Sequence, residues 1–209
     1  MQTSLLLDIA ADACDDRIAI GPRDDGISYA ALRSRARAVA RWLAGKDTQH
    51  TVFIGLNGAA MPLLLFASGM AGLPFVPINY RLSDEDLRKL AARTVPATVF
   101  IDDDMAPRVA EVEGVEFVLR TTFEARFLTG PVEESAEMPE DDNDIAILLF
   151  TSGTTGDPKA AVLRHANLTS YVMSTVEFLG SDEDEAALVS VPPYHIAGIS
   201  AVLTSVYGG

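Results

Sequence analysis

The chain is organised around the stretch Thr151-Ser152-Gly153-Thr154-Thr155-Gly156-Asp157-Pro158-Lys159. Apolar residues flank it on both sides, at 145–150 and at 160–163, which is the pattern of two strands joined by a loop. The loop contains small hydroxyl residues, two glycines and one lysine. Glycines allow close approach of the backbone, hydroxyl and N–H groups donate hydrogen bonds, and the lysine adds a positive charge. The stretch therefore predicts a binding site for an oligophosphate.

The residue order differs from that of a Walker A loop. That motif, G-x-x-x-x-G-K-[ST], places the lysine directly after the second glycine and opens a helix. Here Asp157 and Pro158 separate Gly156 from Lys159, and Ala160 follows where Walker A has serine or threonine. The remaining alternative from the residues alone is a Ser/Thr/Gly hairpin that only turns the chain.

Composition indicates an acidic globular protein. The 209 residues are 48% hydrophobic and 22% charged, and their net charge is −14. This length and this apolar content suffice for one sizeable core or two small ones. Such an acidic chain is a poor candidate for binding nucleic acid, and local donors must hold any phosphate against the overall field. The single cysteine, Cys14, excludes an internal disulfide, and the N-terminus lacks the basic region of a signal peptide. We therefore expect a cytoplasmic protein.

Strand-like and helix-like segments alternate along the chain, as in βαβ units. Ser28 and Ser83 are positioned to cap two amphipathic helices. The pattern predicts an α/β fold, with a mostly parallel sheet covered by helices on both faces. The expected strands lie at residues 17–20, 51–56, 75–78, 97–101, 115–119, 145–150, 160–163 and 187–191.

Residues 59–78 carry no charge and are long enough to span a bilayer. Pro62, Pro74 and Pro77 interrupt this segment, and Gly69 and Gly72 lie between them. We therefore predict a short buried helix at 61–70 and a buried strand at 75–78, with no integral membrane span.

Several charged groups have two interpretations. The arginines of the helix after Ser28 are either an anion patch or, as we favour, a solvated helix face. The run Asp102-Asp103-Asp104 suggests a metal site, but no spaced partner or histidine lies nearby, so we predict a solvated strand end. Residues 131–144 are strongly acidic and predict a linker. The four arginines of the helix after Ser28 are Arg33, Arg35, Arg37 and Arg41.

The central stretch resembles the motif (Y/F)TSGTTGxPKG of adenylate-forming enzymes. That superfamily includes acyl- and aryl-CoA ligases, peptide-synthetase adenylation domains and firefly luciferase. Phe150 takes the aromatic position, and the match continues through Lys159 but departs at Ala160, where the family usually has glycine.

Three further stretches are similar to family motifs. Residues 69–82, GMAGLPFVPINYRL, resemble A-G-x-x-x-V-P-(L/I)-N-x-R-L, and residues 193–198, PYHIAG, resemble P-(L/M)-(F/Y)-H-x-x-G. His165 and Asn167 match an (S/T)H-x-N stretch, and Asn167 is expected to act as a helix N-cap.

The resemblance implies that residues 1–209 are the first part of the N-terminal AMP-binding domain. This partial domain would contain the acidic linker 131–144 and the phosphate-loop hairpin 145–163. After the hairpin we find no counterpart of the family's Y-G-x-T-E segment, of its later T-G-D segment, or of the C-terminal domain with its adenylation lysine. We therefore expect the 209-residue chain to be inactive alone.

The resemblance also implies an ATP-dependent acyl-CoA ligase. It would activate a carboxylate, a fatty or related acyl acid, as an acyl-adenylate and then form a thioester with coenzyme A, using ATP and Mg²⁺. The alternatives are an adenylation domain of a peptide synthetase, an aryl-acid activator, or a non-catalytic nucleotide- or acyl-binding remnant. The apolar run 199–206 is expected to be exposed and to favour homo-oligomers.

Specific roles follow from the same resemblance. Lys159 would balance charge on the leaving pyrophosphate, and Thr151 is a candidate magnesium ligand. His195 would form a wall of the acyl pocket and orient the carboxylate. The alternatives are a lysine paired with a neighbouring carboxylate and a histidine that merely begins a helix. The nucleotide-binding residues implied are Thr151, Ser152, Gly153, Thr154, Thr155, Gly156 and Lys159.

Overall fold

The structure is a computed structural model that describes residues 1–132, 143–151 and 158–209. Its strands are β1 Ile18–Ile20, β2 Ile27–Ser28, β3 His50–Ile54, β4 Phe75–Pro77, β5 Ala97–Ile101, β6 Val115–Leu119, β7 Ile145–Thr151 and β8 Lys159–Arg164. Its α-helices are α1 Ser4–Ala13, α2 Tyr29–Ala44, α3 Ala60–Met70, α4 Asp84–Ala92, α5 Arg120–Glu124, α6 His165–Thr175 and α7 Ile196–Gly208. A 3₁₀ turn covers Ala106–Arg108, and a π turn over Ala125–Thr129 continues α5.

The main sheet has six strands in the order β6-β5-β3-β4-β7-β8. The strands from β6 to β7 run parallel to their neighbours, and β8 returns antiparallel to β7. A separate antiparallel pair joins β1 to β2. The predicted α/β fold with a mostly parallel sheet is confirmed.

Successive side chains of each central strand enter two different cores, since they point to opposite faces of the sheet. Phe53, Phe75 and Phe100 contribute to the larger core, which α1, α2, α3, α6 and α7 complete. Val52 and Val76 enter the smaller core, which α4 covers. Helices therefore cover both faces, as the continuous apolar runs of the strands predict.

Local sequence accounts for the starts of two helices. Ser28 precedes α2, and its hydroxyl accepts the N–H of Ala31 at 3.3 Å. Ser83 precedes α4 and accepts the N–H of Asp86 at 3.2 Å. Three acidic residues in the first turn of α4 further favour this helix, because its dipole is positive there.

The uncharged segment 59–78 forms the buried helix α3 followed by the buried strand β4. Every residue of α3 is buried, which explains why this helix is apolar on all sides. Among the helices within the described ranges, none has both the length and the apolarity that crossing a membrane requires.

The strand predicted at 187–191 is not formed. The described segment has no strand neighbour, and Leu188 is 90% exposed. A β-strand requires an adjacent chain for its backbone hydrogen bonds, and apolar sequence alone does not supply one. Two carbonyls of this segment instead accept hydrogen bonds from a side chain.

The apolar run 199–206 is not an exposed patch. Ile199 and Leu203 are fully buried, and Val206 is 3% exposed. These residues lie on the face of α7 that packs into the larger core, because they recur at helical spacing. The prediction that this run is exposed was therefore wrong.

The arginines of α2 are paired with other groups, so the prediction of a solvated helix face was wrong for three of them. Arg37 lies 2.8 Å from the Asp8 carboxylate, and Arg33 pairs with Asp12, which joins α2 to α1. Arg35 donates to two backbone carbonyls beyond α5. Burial lowers the pKa of this guanidinium.

Candidate functional site

The ends of the β7–β8 hairpin place the two described residues of the predicted loop opposite one another. Thr151 and Lys159 are register partners in the antiparallel ladder, and the Thr151 hydroxyl donates to the Lys159 carbonyl at 3.3 Å. Both residues are exposed. The other predicted nucleotide-binding residues lie outside the described residues; they are Ser152, Gly153, Thr154, Thr155 and Gly156.

A topological switch point of the main sheet lies beside this hairpin, between β4 and β7. After β4 the chain crosses β3 to form β5, whereas after β7 it turns outward into β8. The connections from these adjacent parallel strands therefore depart in opposite directions. Open α/β sheets bind ligands in the crevice that such a divergence creates beyond the carboxyl ends of the strands. Here Pro77 and Thr151 end the two strands.

A residue from α4 contacts both sides of the hairpin. Arg93, the C-cap of α4, donates a hydrogen bond to the Pro158 carbonyl at 2.5 Å. The same guanidinium lies 5.1 Å from the centroid of the Phe150 ring. The Arg93 guanidinium therefore contacts Phe150, which precedes the loop, and Pro158, which precedes Lys159. Sequence reasoning missed this residue because no local pattern relates α4 to the hairpin.

Three aromatic rings bring together two motif stretches that are distant in sequence. Tyr80 follows β4 and meets Tyr194 edge to face, with centroids 5.5 Å apart. The Tyr194 ring lies 4.6 Å from the imidazole of His195. The stretches 69–82 and 193–198 therefore meet at the carboxyl end of β4.

His195 occupies the position directly before α7. Its carbonyl accepts the N–H groups of Gly198 and Ile199 at 3.0 and 3.3 Å, as expected of an N-cap residue. Its side chain is exposed and makes no capping hydrogen bond. His195 therefore begins α7, and its imidazole remains accessible beside Tyr194.

Asp102 anchors the loop after β3, so the prediction of a solvated strand end was wrong for this residue. It is only 7% exposed, accepts the N–H of Leu56 at 2.8 Å and lies 3.1 Å from the Arg120 guanidinium. A Cβ on Gly55 would lie 2.4 Å from the Asp102 carboxylate, which requires glycine at this close approach. Arg120 follows 18 residues later, at the end of β6, so no nearby sequence revealed the pair.

Arg120 makes further contacts that fix this edge of the sheet. It donates to the carbonyls of Leu56 and Asn57 at 3.2 and 3.5 Å, and to Glu124 at 2.7 Å. Burial lowers the pKa of Arg120, but hydrogen bonds to Glu124 and Asp102 outweigh it, so the pKa is raised overall. Asp103 accepts the backbone N–H of Thr121, and hydrogen bonds from Thr121 lower the pKa of Asp103.

Asn57 connects the loop after β3 to the segment that precedes Tyr194. Its side-chain nitrogen donates to the carbonyls of Val189 and Val191, each at 3.0 Å. The sequence contained a weak signal for this role, since Asn57 directly follows a buried strand at the ligand-binding edge of a parallel sheet. Its partners lie more than a hundred residues away.

His165 connects the start of α6 to the N-terminal segment. It is 4% exposed, and its Nδ1 accepts the N–H of Thr3 at 3.1 Å, so the neutral ring carries its proton on Nε2. Burial lowers the pKa of His165, with Asp144 acting in the opposite direction and the N-terminal amino group in the same one. Asn167 lies inside α6, so its predicted N-cap role was wrong: the helix begins two residues earlier.

The hairpin contributes one described oxygen ligand suited to magnesium, the Thr151 hydroxyl. Within the described part of the chain, no cluster of three or more His, Cys, Asp or Glu side chains is placed to hold a metal ion. Mg²⁺ in nucleotide sites takes few protein ligands and binds the substrate phosphates directly. The residues present therefore fit an ion that arrives with the nucleotide.

A cleft of about 1330 Å³ lies between the N-terminal segment, α7 and residues 179–189. Neither Thr151, Lys159 nor His195 lines it. Burial raises the pKa of Tyr29, on its wall, to about 12. We place the candidate site at the carboxyl edge of the sheet instead, because the motif residues and the switch point coincide there.

Comparison with known proteins identifies relatives of this chain. Residues 7–209 match a family model described as AMP-binding enzyme. The chain is similar to Feruloyl-CoA synthase from Amycolatopsis sp, with 31% identity over 179 residues; the alignment covers 84% of this chain and 36% of that protein. The chain therefore spans well under half the length of this curated relative.

Solved structures with the same fold include proteins bound to nucleotide or adenylate. ATP-bound MatB from Rhodopseudomonas palustris is 26% identical with a TM-score of 0.77, over 100% of this chain and 44% of that chain. O-succinylbenzoate CoA synthetase (MenE) from Bacillus subtilis, in complex with the acyl-adenylate intermediate OSB-AMP, is 25% identical with a TM-score of 0.75. That match covers 98% of this chain and 53% of the other.

Proposed function

The chain belongs to the AMP-binding enzyme family, and from that premise we propose that it forms the pyrophosphate-binding part of an ATP-dependent acyl-CoA ligase. The relatives named as a CoA synthase and a CoA synthetase support this class of reaction. The ligase would convert a carboxylic acid, a fatty or related acyl acid, into its coenzyme A thioester.

One observation carries the proposal. Thr151 and Lys159 face each other across the end of a hairpin that opens at the carboxyl edge of the sheet, beside the switch point between β4 and β7. Seven residues separate them, and all except Asp157 and Pro158 are glycine or carry a hydroxyl group. A phosphate chain held there would meet an exposed cation and an exposed hydroxyl at the base of the loop.

The reaction has two steps. A carboxylate oxygen attacks the α-phosphorus of ATP, the bond to the β-phosphate oxygen breaks, and pyrophosphate leaves with the electron pair. The thiol of coenzyme A then attacks the acyl carbonyl, loses its proton and displaces AMP. The protein acts mainly by positioning the reactants and stabilising charge.

Individual residues contribute to the first step. Lys159 balances the charge that develops on the departing pyrophosphate, and Thr151 binds a phosphate oxygen or the accompanying ion. Mg²⁺, when bound with ATP, neutralises phosphate charge. His195 faces the acyl acid from the start of α7 and donates a hydrogen bond to its carboxylate.

A second candidate substrate is an aromatic acid. The 31%-identical relative is named for the feruloyl group, which is an aromatic acyl group. Tyr80 and Tyr194 are half-buried and His195 is exposed, and the cluster of their rings offers a surface that suits an aromatic ring. A peptide-synthetase adenylation domain and a non-catalytic nucleotide-binding protein remain the alternatives from other classes.

Isothermal titration of the 209-residue chain with magnesium pyrophosphate tests the assignment of the hairpin. We expect Lys159→Ala to weaken binding about tenfold, the usual effect of removing a charged contact. Arg164→Ala is the matched control, because it removes the same charge from the other end of β8, where the Arg164 side chain makes an exposed ion pair with Asp144. Equal weakening by both substitutions, or no binding by the unsubstituted chain, would contradict the proposal.

Exchange of labelled pyrophosphate into ATP, in the presence of aliphatic or aromatic acids, tests catalysis. We propose that the 209 residues alone give no exchange above background, because the family's later adenine- and ribose-binding motifs have no counterpart after the hairpin. Robust exchange would refute the requirement for those motifs, and the acid that supports it would identify the substrate class.

A further inference from the structure

The side chain of Asn57 substitutes for a neighbouring strand. Its Nδ2 atom carries two hydrogens and donates to the carbonyls of Val189 and Val191, both at 3.0 Å. Carbonyls two residues apart point to the same side of an extended chain. A single amide therefore satisfies one edge of a segment that has strand-like sequence but no strand partner among the described residues.

The segment that Asn57 binds leads directly into the start of α7. The His195 N–H donates to the Pro192 carbonyl at 3.1 Å. A Cβ on Gly198 would lie 2.9 Å from the carbonyl oxygens of both Val191 and Pro192, so this backbone packs directly against the first turn of α7. The position of Val191 is therefore transmitted to His195 over only four residues, two of which are prolines.

Hydrogen bonds from neighbouring elements hold the backbone of the loop that contains Asn57. Arg120 donates to the carbonyls of Leu56 and Asn57, and Asp102 accepts the Leu56 N–H at 2.8 Å. Asp102 and Arg120 in turn lie at the carboxyl ends of β5 and β6 and pair with each other at 3.1 Å. The amide is consequently tied to the central sheet, although Asn57 is exposed.

We propose that Asn57 is a positioning residue that sets the location of the Tyr194–His195 pair relative to the carboxyl edge of the sheet. The pair keeps its contact with Tyr80 because Asn57 holds the chain that precedes it. The inference rests on the proposed function for one point, that His195 faces the acyl acid. The positioning itself depends only on the contacts of Asn57.

Nuclear magnetic resonance of the 209-residue chain tests this directly. The sequence contains three histidines, His50, His165 and His195, so the imidazole Cε1–H signals are few and separable. Substitution Asn57→Asp keeps the size of the side chain but replaces both hydrogen-bond donors by an acceptor facing two carbonyls. We expect the His195 signal to shift, because its ring lies 4.6 Å from that of Tyr194, while the signals of His50 and His165 stay in place.

Asn167→Asp is the matched control, because it makes the same chemical change at an exposed position of α6. We expect it to leave the His195 signal unchanged. An unmoved His195 signal in folded Asn57→Asp, or an equal shift in the control, would overturn the inference.

A measurement on the unsubstituted chain covers the case in which Asn57→Asp does not fold. Both side-chain amide protons of Asn57 are hydrogen-bonded, so we expect them to exchange with solvent about tenfold more slowly than those of Asn167. Equal exchange rates would refute the contact.

Failure of this inference is distinguishable from failure of the proposed function. Asn57 makes no described contact with the β7–β8 hairpin, so pyrophosphate affinity should remain within about twofold in Asn57→Asp. Absence of pyrophosphate binding in the unsubstituted chain would refute the proposed function and leave the histidine measurement valid. A tenfold loss of affinity caused by Asn57→Asp alone would indicate general disruption and overturn the inference.

Discussion

Arg93 and Pro158 lie 65 residues apart in sequence, yet the guanidinium donates to the proline carbonyl at 2.5 Å. The same guanidinium faces the Phe150 ring. Helix α4 is thereby joined to both strands of the hairpin at the point where the predicted phosphate loop begins and ends.

Removing this connection should weaken phosphate binding. For Arg93→Ala we expect pyrophosphate affinity to fall about threefold, because the hairpin must then be ordered by the ligand at a cost of about 0.6 kcal/mol. Arg93→Lys should recover part of the loss, since an ammonium also interacts with an aromatic face. Calorimetric titration measures both. The control is Arg23→Ala, which removes an exposed arginine from the turn between β1 and β2 and should leave pyrophosphate affinity unchanged. An equal loss of affinity in this control would show that the effect of Arg93→Ala comes from net charge alone.

The carboxyl end of β3 should not tolerate a methyl group. Gly55→Ala places a Cβ about 2.4 Å from the Asp102 carboxylate, and we expect a loss of about 1–3 kcal/mol in the free energy of unfolding. Urea unfolding monitored by the single tryptophan, Trp42, measures it. Gly45→Ala is the control: a Cβ there has 3.6 Å to its nearest neighbour, and its φ is −84°. That variant should be as stable as the parent or slightly more so, and a similar loss in both would exclude the steric explanation.

His165 should make stability depend on pH in the near-neutral range. Its pKa in the folded protein is lowered by burial below the unfolded value of about 6.5. The unfolded state therefore binds the proton more readily, and stability is greatest above about pH 6.5 and falls as the pH decreases toward the folded pKa. Chemical unfolding between about pH 7.5 and pH 5 measures this loss before the carboxylates titrate.

The substitution His165→Asn isolates that contribution. The Asn oxygen can replace Nδ1 as acceptor for the Thr3 N–H, but it does not titrate. We expect the variant to lack the part of the pH dependence that arises above about pH 5. An unaltered pH profile in this variant would contradict the assignment of the effect to His165.

Leu188 should contribute to association and not to folding. It is 90% exposed, so Leu188→Ser should change the free energy of unfolding by less than about 0.5 kcal/mol and reduce self-association in light scattering. Leu203 is fully buried, and Leu203→Ala should cost about 2–4 kcal/mol. Unchanged association after Leu188→Ser would place the contact between copies elsewhere.

Sequence reasoning succeeded where one local pattern decides the structure. Apolar runs located all six strands of the main sheet, and Ser28 and Ser83 marked the starts of α2 and α4. These features depend on residues within a few positions of one another, because side-chain periodicity and capping are local.

It failed where a partner comes from elsewhere in the chain. Residues 187–191 have the composition of a strand but receive an amide from Asn57 instead of a neighbouring strand. Asp102 has the sequence of a solvated strand end, but Arg120 and the Leu56 N–H make it a buried anchor. Neither outcome can be inferred from residue type, since each requires two segments to be brought together by the sheet.

The stretch from Thr151 to Lys159 illustrates the same division. The sequence by itself determined its chemistry and its family, because hydroxyl residues, glycines and a lysine in that order carry the motif. Only the tertiary structure decided that Thr151 pairs with Lys159 beside a switch point, that Arg93 contacts both flanks, and that the Tyr194–His195 pair meets Tyr80. The physical reason is that residue types set which interactions are available, whereas the order of strands in the sheet sets which of them meet.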